Sequence, residues 1–181
     1  LIKIFEPQFR LLVVVLMVVS VLSLQVQQVS AGDRIDEFQE GINGYNGTRD
    51  TYIWKSEPDM DHGGEPTFIQ EEFPGDELRS LLLFDLSTIP TGATITSATL
   101  QLYVMDEGLG FNMHRMLVPW DETETYNSIG FRQFAADNID AEAGISANWP
   151  GNAGYTGLIT VSIIPATIQD WIDGTKANYG W

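Results

Sequence analysis

A chain of 181 residues with 44% hydrophobic and 19% charged residues has the composition of a globular domain, which excludes a disordered tract. Its 25 acidic and 9 basic residues give a net charge of −16, which repels the phosphates of nucleic acids and anionic membranes and disfavours both as partners. The absence of cysteine excludes disulfides and thiol chemistry. Neutral glycans, cations and cation-bridged polymers remain possible partners.

Residues 1–31 have the pattern of a signal peptide. Lys3 and Arg10 precede a predominantly apolar run over residues 11–24, and small residues follow at the predicted cleavage site. An uncleaved membrane anchor is the alternative, but the run is short for a bilayer span. The sequence thus predicts a secreted, extracellular or cell-surface-attached chain with one domain over residues 32–181 and no stable membrane insertion after cleavage.

The first half of this domain is predicted to form strands separated by turns. β-branched and aromatic residues predict one strand over residues 51–55 and another over residues 67–73. Residues 79–86 form a nearly continuous apolar run. Its length and its flanking turns predict a strand that is buried on both faces.

The second half alternates more clearly between apolar and polar residues. Period-2 patterns over residues 98–104 and 158–164 predict two strands with one face toward the core, and residues 111–118 predict a third. Pro165, apolar residues at helical spacing and Gly174 predict one short helix. The Asp-, Asn- and Gly-rich stretch between Trp120 and Tyr155 is predicted to be a long loop.

Together these elements predict a mainly β fold, an antiparallel β-sandwich of jelly-roll type with one short helix. The chain ends abruptly on Trp181, so we expect a C-terminally truncated sandwich whose open edge promotes self-association.

Several segments resemble a known family. They are similar to the DNRLRE domain, a group that overlaps the carbohydrate-binding module family 96-like domains, and the best-matching segments are Asp50–Ile53, Arg79–Pro90 and Gly92–Tyr103. The resemblance implies an extracellular, non-catalytic β-sandwich appended to larger surface proteins or polysaccharide-degrading enzymes. Some members of the group resemble alginate binders.

Two departures from the family pattern limit what the resemblance implies. Leu83 stands where such domains often carry a basic residue, which weakens the expectation of an acidic glycan. The family pattern also continues past the Gly-Trp pair at which this chain ends, which agrees with the expected truncation.

No catalytic motif is evident. His62 and His114 lack a convincing set of partners for acid–base chemistry. Asp121, Glu122 and Glu124 offer the paired carboxylates of a glycosidase, but adjacent acidic residues in a loop more often cap turns or face solvent. We therefore predict that this chain is not an enzyme, while a catalytic domain beyond the end of the sequence stays open.

A calcium site is one hypothesis for the acidic loop, residues 56–66. Spaced carboxylates on a glycine-containing loop suit Ca²⁺, which takes six to eight oxygen ligands. A plain acidic loop without metal is the alternative, and Asp50 is a separate candidate ligand. The candidate calcium ligands of the loop are Glu57, Asp59, Asp61 and Glu65.

Glycan binding requires aromatic faces with polar neighbours. Trp149 and Tyr155 lie in a Gly-, Asn- and Pro-rich stretch and are predicted to be exposed, whereas Trp120 and Trp171 are predicted to lie in the core. The predicted ligand-binding residues are Arg49, Lys55, Arg79, Trp149 and Tyr155.

The sequence therefore predicts a non-catalytic extracellular module that binds a polysaccharide or cell-surface glycan and targets or anchors a larger secreted protein. Two alternatives remain open. One is a structural or adhesive surface domain without a soluble ligand, and the other is the non-catalytic N-terminal part of a polysaccharide-degrading enzyme.

Overall fold

The computed structural model describes residues 34–67, 69, 75–106, 110–129, 136–152 and 154–181. The predicted signal peptide lies outside the described residues, as does most of the predicted strand over residues 67–73. Thr67 and Ile69, which are described, are not part of a strand. Every element of the fold belongs to one compact unit, Asp36–Trp181. Within the described ranges, no helix has the length and apolar character that crossing a membrane requires.

The described residues form two antiparallel sheets and one short helix. The first sheet pairs β1 with β2, and the second has the strand order β3-β6-β5-β4. This architecture confirms the predicted mainly β, sandwich-like antiparallel fold. The elements are β1 (Thr48–Trp54), β2 (Leu78–Phe84), β3 (Ala98–Val104), β4 (Phe111–Met116), β5 (Ala141–Trp149), β6 (Gly157–Ile163) and α1 (Pro165–Ile172).

Strand β2 is buried on both faces, as its continuous apolar sequence predicts. Leu81 packs with Ile53 in one hydrophobic cluster, while its neighbour Leu82 packs with Val161 in the other. Successive side chains of a strand point to opposite faces, so β2 contributes to two cores at once.

The alternation in β3 and β6 is confirmed by their pairing. Leu100 pairs with Val161 on the core face, and both are buried. The residues between them form the opposite, exposed face, where Gln101 pairs with Thr160. The period-2 pattern thus assigns the two faces of this half of the sheet correctly.

The predicted loop between Trp120 and Tyr155 is wrong in part, because it contains the nine-residue strand β5. The pairing of β5 with β4 shifts register on both sides of His114. Each such irregularity changes which residues face the core, so buried Ala141 and Ala147 follow no regular alternation that the sequence could reveal.

The C-terminal residues connect β2 to β4. Trp181 exchanges two backbone hydrogen bonds with Leu82, at 2.9 and 2.8 Å, and the Gly180 carbonyl accepts one from the Met116 amide at 2.9 Å. Gly180 has a φ of +72°, and a Cβ there would lie 2.2 Å from the Leu82 carbonyl oxygen. Only glycine combines this conformation with such a close approach.

Helix α1 forms as predicted and closes one end of the larger core. Pro165 is at its start, and Ile168 and Trp171 are buried. Gly174 follows its last turn, where the Gly174 amide donates a hydrogen bond to the Trp171 carbonyl oxygen at 3.2 Å. The Trp171 and Trp181 rings meet edge to face, with centroids 4.8 Å apart. The prediction that Trp171 is a core residue is confirmed.

Candidate functional site

Two of the three predicted basic ligands lie on the sheet formed by β1 and β2 and the third directly follows β1, but the three do not converge. Arg49 is exposed on β1, and Arg79 lies on β2 opposite Ile53. The register separates Arg49 from Arg79 by four residues, or about 13 Å along the strand. Lys55 follows β1, and its Nζ lies 3.9 Å from Glu77 Oε1. The buried residues between the two arginines prevent a shared open surface.

The two predicted aromatic ligands lie at one end of the other sheet, and neither is fully exposed. Trp149 packs against Phe111, with ring centroids 5.8 Å apart, and the Tyr155 hydroxyl donates to the Leu158 carbonyl at 2.9 Å. Both Trp149 and Tyr155 contact the larger hydrophobic cluster. The expectation of two freely exposed rings is therefore corrected to two half-buried side chains at the sheet's end.

The acidic loop does not present its carboxylates as one group. Asp59 accepts a hydrogen bond from Asn127 Nδ2 at 2.8 Å, and Asp61 accepts one from the Gly63 amide at 3.3 Å. Within the described residues, no three His, Asp or Glu side chains gather as a metal site would require. Calcium binding by this loop stays a prediction. The predicted ligand set consists of Glu57, Asp59, Asp61 and Glu65.

The centre of the acidic loop is a histidine packed on β1. His62 is 3% exposed and stacks on Tyr52, with ring centroids 4.0 Å apart and an interplanar angle of 15°. Glu57 Oε2 lies 3.5 Å from His62 Nε2. Burial, followed by the charges of Glu65 and Glu57, raises the pKa of Tyr52. The acidic loop thus packs on β1 through His62, whose role here is structural.

A carboxylate pair that the sequence did not reveal lies beside this loop. The Asp50 amide donates to Glu122 Oε1 at 3.2 Å, across 72 positions of sequence. Burial, and then the charge of Glu122, raises the pKa of the Asp50 carboxyl. A Cβ at Gly63 would lie 2.4 Å from the Glu122 carbonyl oxygen, so a glycine is needed for this approach. No local pattern links these two segments.

A partly buried ion-pair network, centred on the buried Arg115, joins β4, β5 and α1. Arg115 binds the Glu142 carboxylate with two nitrogens, at 3.1 and 3.0 Å, and Asp170 Oδ2 at 2.8 Å. Lys176 Nζ lies 2.5 Å from Glu142 Oε1. The hydrogen bond from Arg115 lowers the pKa of Asp170. Two cations balance two carboxylates, so the network joins the elements without presenting a net charge.

A cavity beside the network is too small for a typical ligand site. Its volume is about 200 Å³, and Arg115, Met116, Lys176 and Tyr179 contribute to its lining. Small-molecule pockets usually hold roughly 300–1,000 Å³. His114 is also engaged nearby, because its Nδ1 lies 2.9 Å from the Glu142 carbonyl oxygen. The cavity is thus poorly suited to enclosing a substrate.

Comparison with known proteins gives one finding. A family model for carbohydrate-binding module family 96 matches residues 42–132, half of the chain, and confirms the predicted resemblance to that family. No curated protein and no solved structure matches the sequence. The matched segment includes β1 to β4, the acidic loop and the Asp50–Glu122 pair, while Trp149 and Tyr155 follow it. The chain belongs to carbohydrate-binding module family 96.

Proposed function

We propose that this chain is a non-catalytic module that binds polysaccharide outside the cell and holds a larger secreted protein at that polysaccharide. The observation that carries the proposal is the family match, which extends through four of the six strands that the described residues form. Extracellular delivery is proposed from the signal-peptide pattern of residues 1–31.

The arrangement of the ionisable residues supports a binding role over a catalytic one. His62 is stacked on Tyr52, and Nδ1 of His114 is hydrogen-bonded to the Glu142 carbonyl oxygen. Asp121 accepts hydrogen bonds from the Thr123 amide and hydroxyl, each at 3.0 Å, so this carboxylate stabilises a turn. General acid–base catalysis needs such groups within reach of a substrate proton instead.

Affinity electrophoresis tests the proposal directly. The chain is run through native gels containing soluble polysaccharides of both neutral and acidic types, and insoluble ones are used in pull-down assays. We expect retardation or capture by at least one polysaccharide without release of reducing ends during prolonged incubation. Failure to bind any member of a broad panel would reject the binding function, and release of reducing ends would reject the non-catalytic one.

Secretion is tested separately from binding. The full chain is expressed in a secreting host, and the exported product is identified by N-terminal sequencing. We expect a mature product that begins at Gly32. Retention of the full-length chain in the cell membrane would contradict the proposed secretion but leave glycan binding intact.

A further inference from the structure

The outer face of the paired strands β3 and β6, extended across the sheet by Asn148 of β5 and Asn112 of β4, is exposed and carries no charged side chain. This contrasts with a chain whose net charge is −16. The outward residues combine hydroxyl, amide, aromatic and aliphatic groups, and the face is defined by Thr99, Gln101, Tyr103, Asn112, Asn148, Leu158, Thr160 and Ser162. We call this surface the neutral face.

Four polar side chains of the neutral face form a row across all four strands. Thr99 pairs with Ser162, and Asn112 pairs with Asn148, whose Nδ2 donates to Asn112 Oδ1 at 2.7 Å. The pairing of Ala147 with Ile163 brings the two halves together, because it places the next residue, Asn148, beside Ser162. With strands about 4.8 Å apart, the row extends over about 14 Å.

An exposed pair of large side chains lies at one end of the β3-β6 pair. Tyr103 and Leu158 are paired across β3 and β6 and are 72% and 58% exposed. Gln101 and Thr160 lie between this pair and the row. The Tyr103 ring lies about 7 Å along the strand from the Gln101 side chain. The surface therefore offers an aromatic face and hydrogen-bonding groups within the length of an oligosaccharide.

We propose that the neutral face binds a neutral polysaccharide, with Tyr103 packed on a sugar ring and the amides of Gln101, Asn112 and Asn148 bonded to sugar hydroxyls. Sugars present apolar C–H faces together with hydroxyls, which an aromatic ring and uncharged amides match. The inference rests on the proposed function and adds the location of the site and the class of glycan.

Charge is the reason for choosing a neutral glycan. A polyuronate or sulfated chain needs cations at its binding surface, and the neutral face has none. The basic residues Arg49 and Arg79 lie on the other sheet and Lys55 follows its strand β1, and the three do not converge. The net charge of −16 further repels an anionic polymer at low ionic strength.

The test combines a ligand panel with substitutions on the neutral face. The chain, Y103A and Q101A are compared by affinity electrophoresis on neutral glucans, xylans and mannans and on acidic alginate and polygalacturonate. I139A is the matched control, because Ile139 is 69% exposed and lies before β5. We expect a neutral polysaccharide to bind the chain and I139A equally and Y103A about tenfold more weakly.

Charge substitutions at Thr160 then test the class of glycan. A lysine or an aspartate at this exposed position is expected to weaken binding of the neutral polymer, with no gain for alginate in T160K. Capture of acidic polymers alone, or a gain for alginate in T160K, would overturn the neutral class while preserving glycan binding. Unchanged binding by Y103A, Q101A and both Thr160 variants would overturn the location.

Two further outcomes distinguish this inference from its alternatives. No binding to any polysaccharide would reject the proposed function and this inference together. A second copy of the chain is the alternative occupant, because Tyr103 and Leu158 expose large apolar groups on this face. If size-exclusion chromatography shows a dimer that Y103A dissociates, the neutral face is a protein interface and the proposal is wrong.

Discussion

The surroundings of β2 and the neutral face show two ways in which this chain uses a sheet. Around β2 both faces are closed, by Ile53 and Leu81 on one side and by Leu82 with the C-terminal Trp181 on the other. The sheet of β3, β6, β5 and β4 has one closed face, and the residues on its other face are open to solvent. Stability and ligand contact can therefore reside in different places.

The polar groups of the two regions also differ in their partners: those beside β1 and β2 are hydrogen-bonded within the protein, whereas those of the neutral face are exposed to solvent. Beside β1 and β2, Asp76 accepts hydrogen bonds from Trp54 Nε1 and Ser56 Oγ, each at 2.7 Å. The bond from Ser56 is the main cause of the lowered pKa of Asp76. Such carboxylates fix loops, whereas the exposed hydroxyls of Thr99 and Thr160 can exchange water for a ligand. The acidic composition thus reflects loop architecture more than the binding surface.

The largest loss of stability is expected where the C-terminal segment enters the closed region. In G180A the new methyl group meets the Leu82 carbonyl oxygen, and the alanine is held at a φ of +72°. Backbone strain and displacement of β2 together should lower the free energy of unfolding by roughly 4 kcal/mol. Urea denaturation followed by tryptophan fluorescence measures this.

G174A is the matched control for this substitution. Gly174 has a similar φ, +68°, but no atom lies within 4 Å of an added Cβ. It should cost only about 1 kcal/mol, for the left-handed conformation. Equal losses in G174A and G180A would show that the close approach to β2 does not matter and would remove the distinction between the closed and open regions.

The Arg115 network should give the next largest effect. R115M removes the buried guanidinium from the partly exposed carboxylates of Glu142 and Asp170, so we expect a loss of about 2 kcal/mol at pH 7. K176A, which removes a half-exposed cation from the same carboxylates, should cost less than about 1 kcal/mol. Similar losses in both variants would contradict the central role of Arg115.

The pH dependence of this network has a definite sign. The hydrogen bond from Arg115 lowers the pKa of Asp170 in the folded state. The folded state then binds fewer protons than the unfolded state near pH 4, so this stabilisation is present above that pH and is lost as the pH falls. The unfolding curves of R115M and the parent chain should converge toward pH 3. A constant difference would refute this linkage.

The fold was predictable where the chain alternates regularly. Leu100 and Val161 in β3 and β6, and Ile168 in α1, occupy the buried positions that their spacing predicts. Strand β5 was not predictable, because its register shifts remove the period and its buried residues include the small side chains of Ala141 and Ala147.

The sequence predicted individual candidate residues but not which of them the fold brings together. Trp149 and Tyr155 were identified by composition, but their partial burial follows from packing on distant strands. Asp50 and Glu122 meet across 72 positions, and only the fold brings them together. The neutral face follows from the predicted alternation of β3 and β6, but its row of polar groups also required the pairing of β4 with β5.

A gain in stability is expected from the buried hydroxyl of β1. Thr51 is 0% exposed, and within the described residues its hydroxyl has no hydrogen-bond partner. T51V replaces this oxygen with a methyl group of similar shape and should raise the free energy of unfolding by about 1 kcal/mol. A loss of stability in thermal unfolding would show that the closed region depends on this hydroxyl.

A smaller gain is expected at the Asp50–Glu122 pair, and it also tests calcium. Because the pKa of Asp50 is raised in the folded state, its charged form destabilises the fold as the pH rises above the ordinary carboxyl range. D50N should therefore gain about 0.5 kcal/mol at pH 7 and nothing near pH 3. If Ca²⁺ is bound at this pair, D50N should instead lower the free energy of unfolding. A chelator would then lower the melting temperature of the parent chain but not that of D50N.

The smallest change in stability is expected on the neutral face itself. T160V makes the same exchange as T51V, but at an exposed position of β6. Both residues are β-branched and suit a strand, so the free energy of unfolding should change by less than about 0.5 kcal/mol. Binding of a neutral polysaccharide should nevertheless weaken, because the lost hydroxyl belongs to the contact surface. If T160V instead alters stability as much as T51V while binding is unchanged, the neutral face contributes to folding and the contrast between the two regions fails.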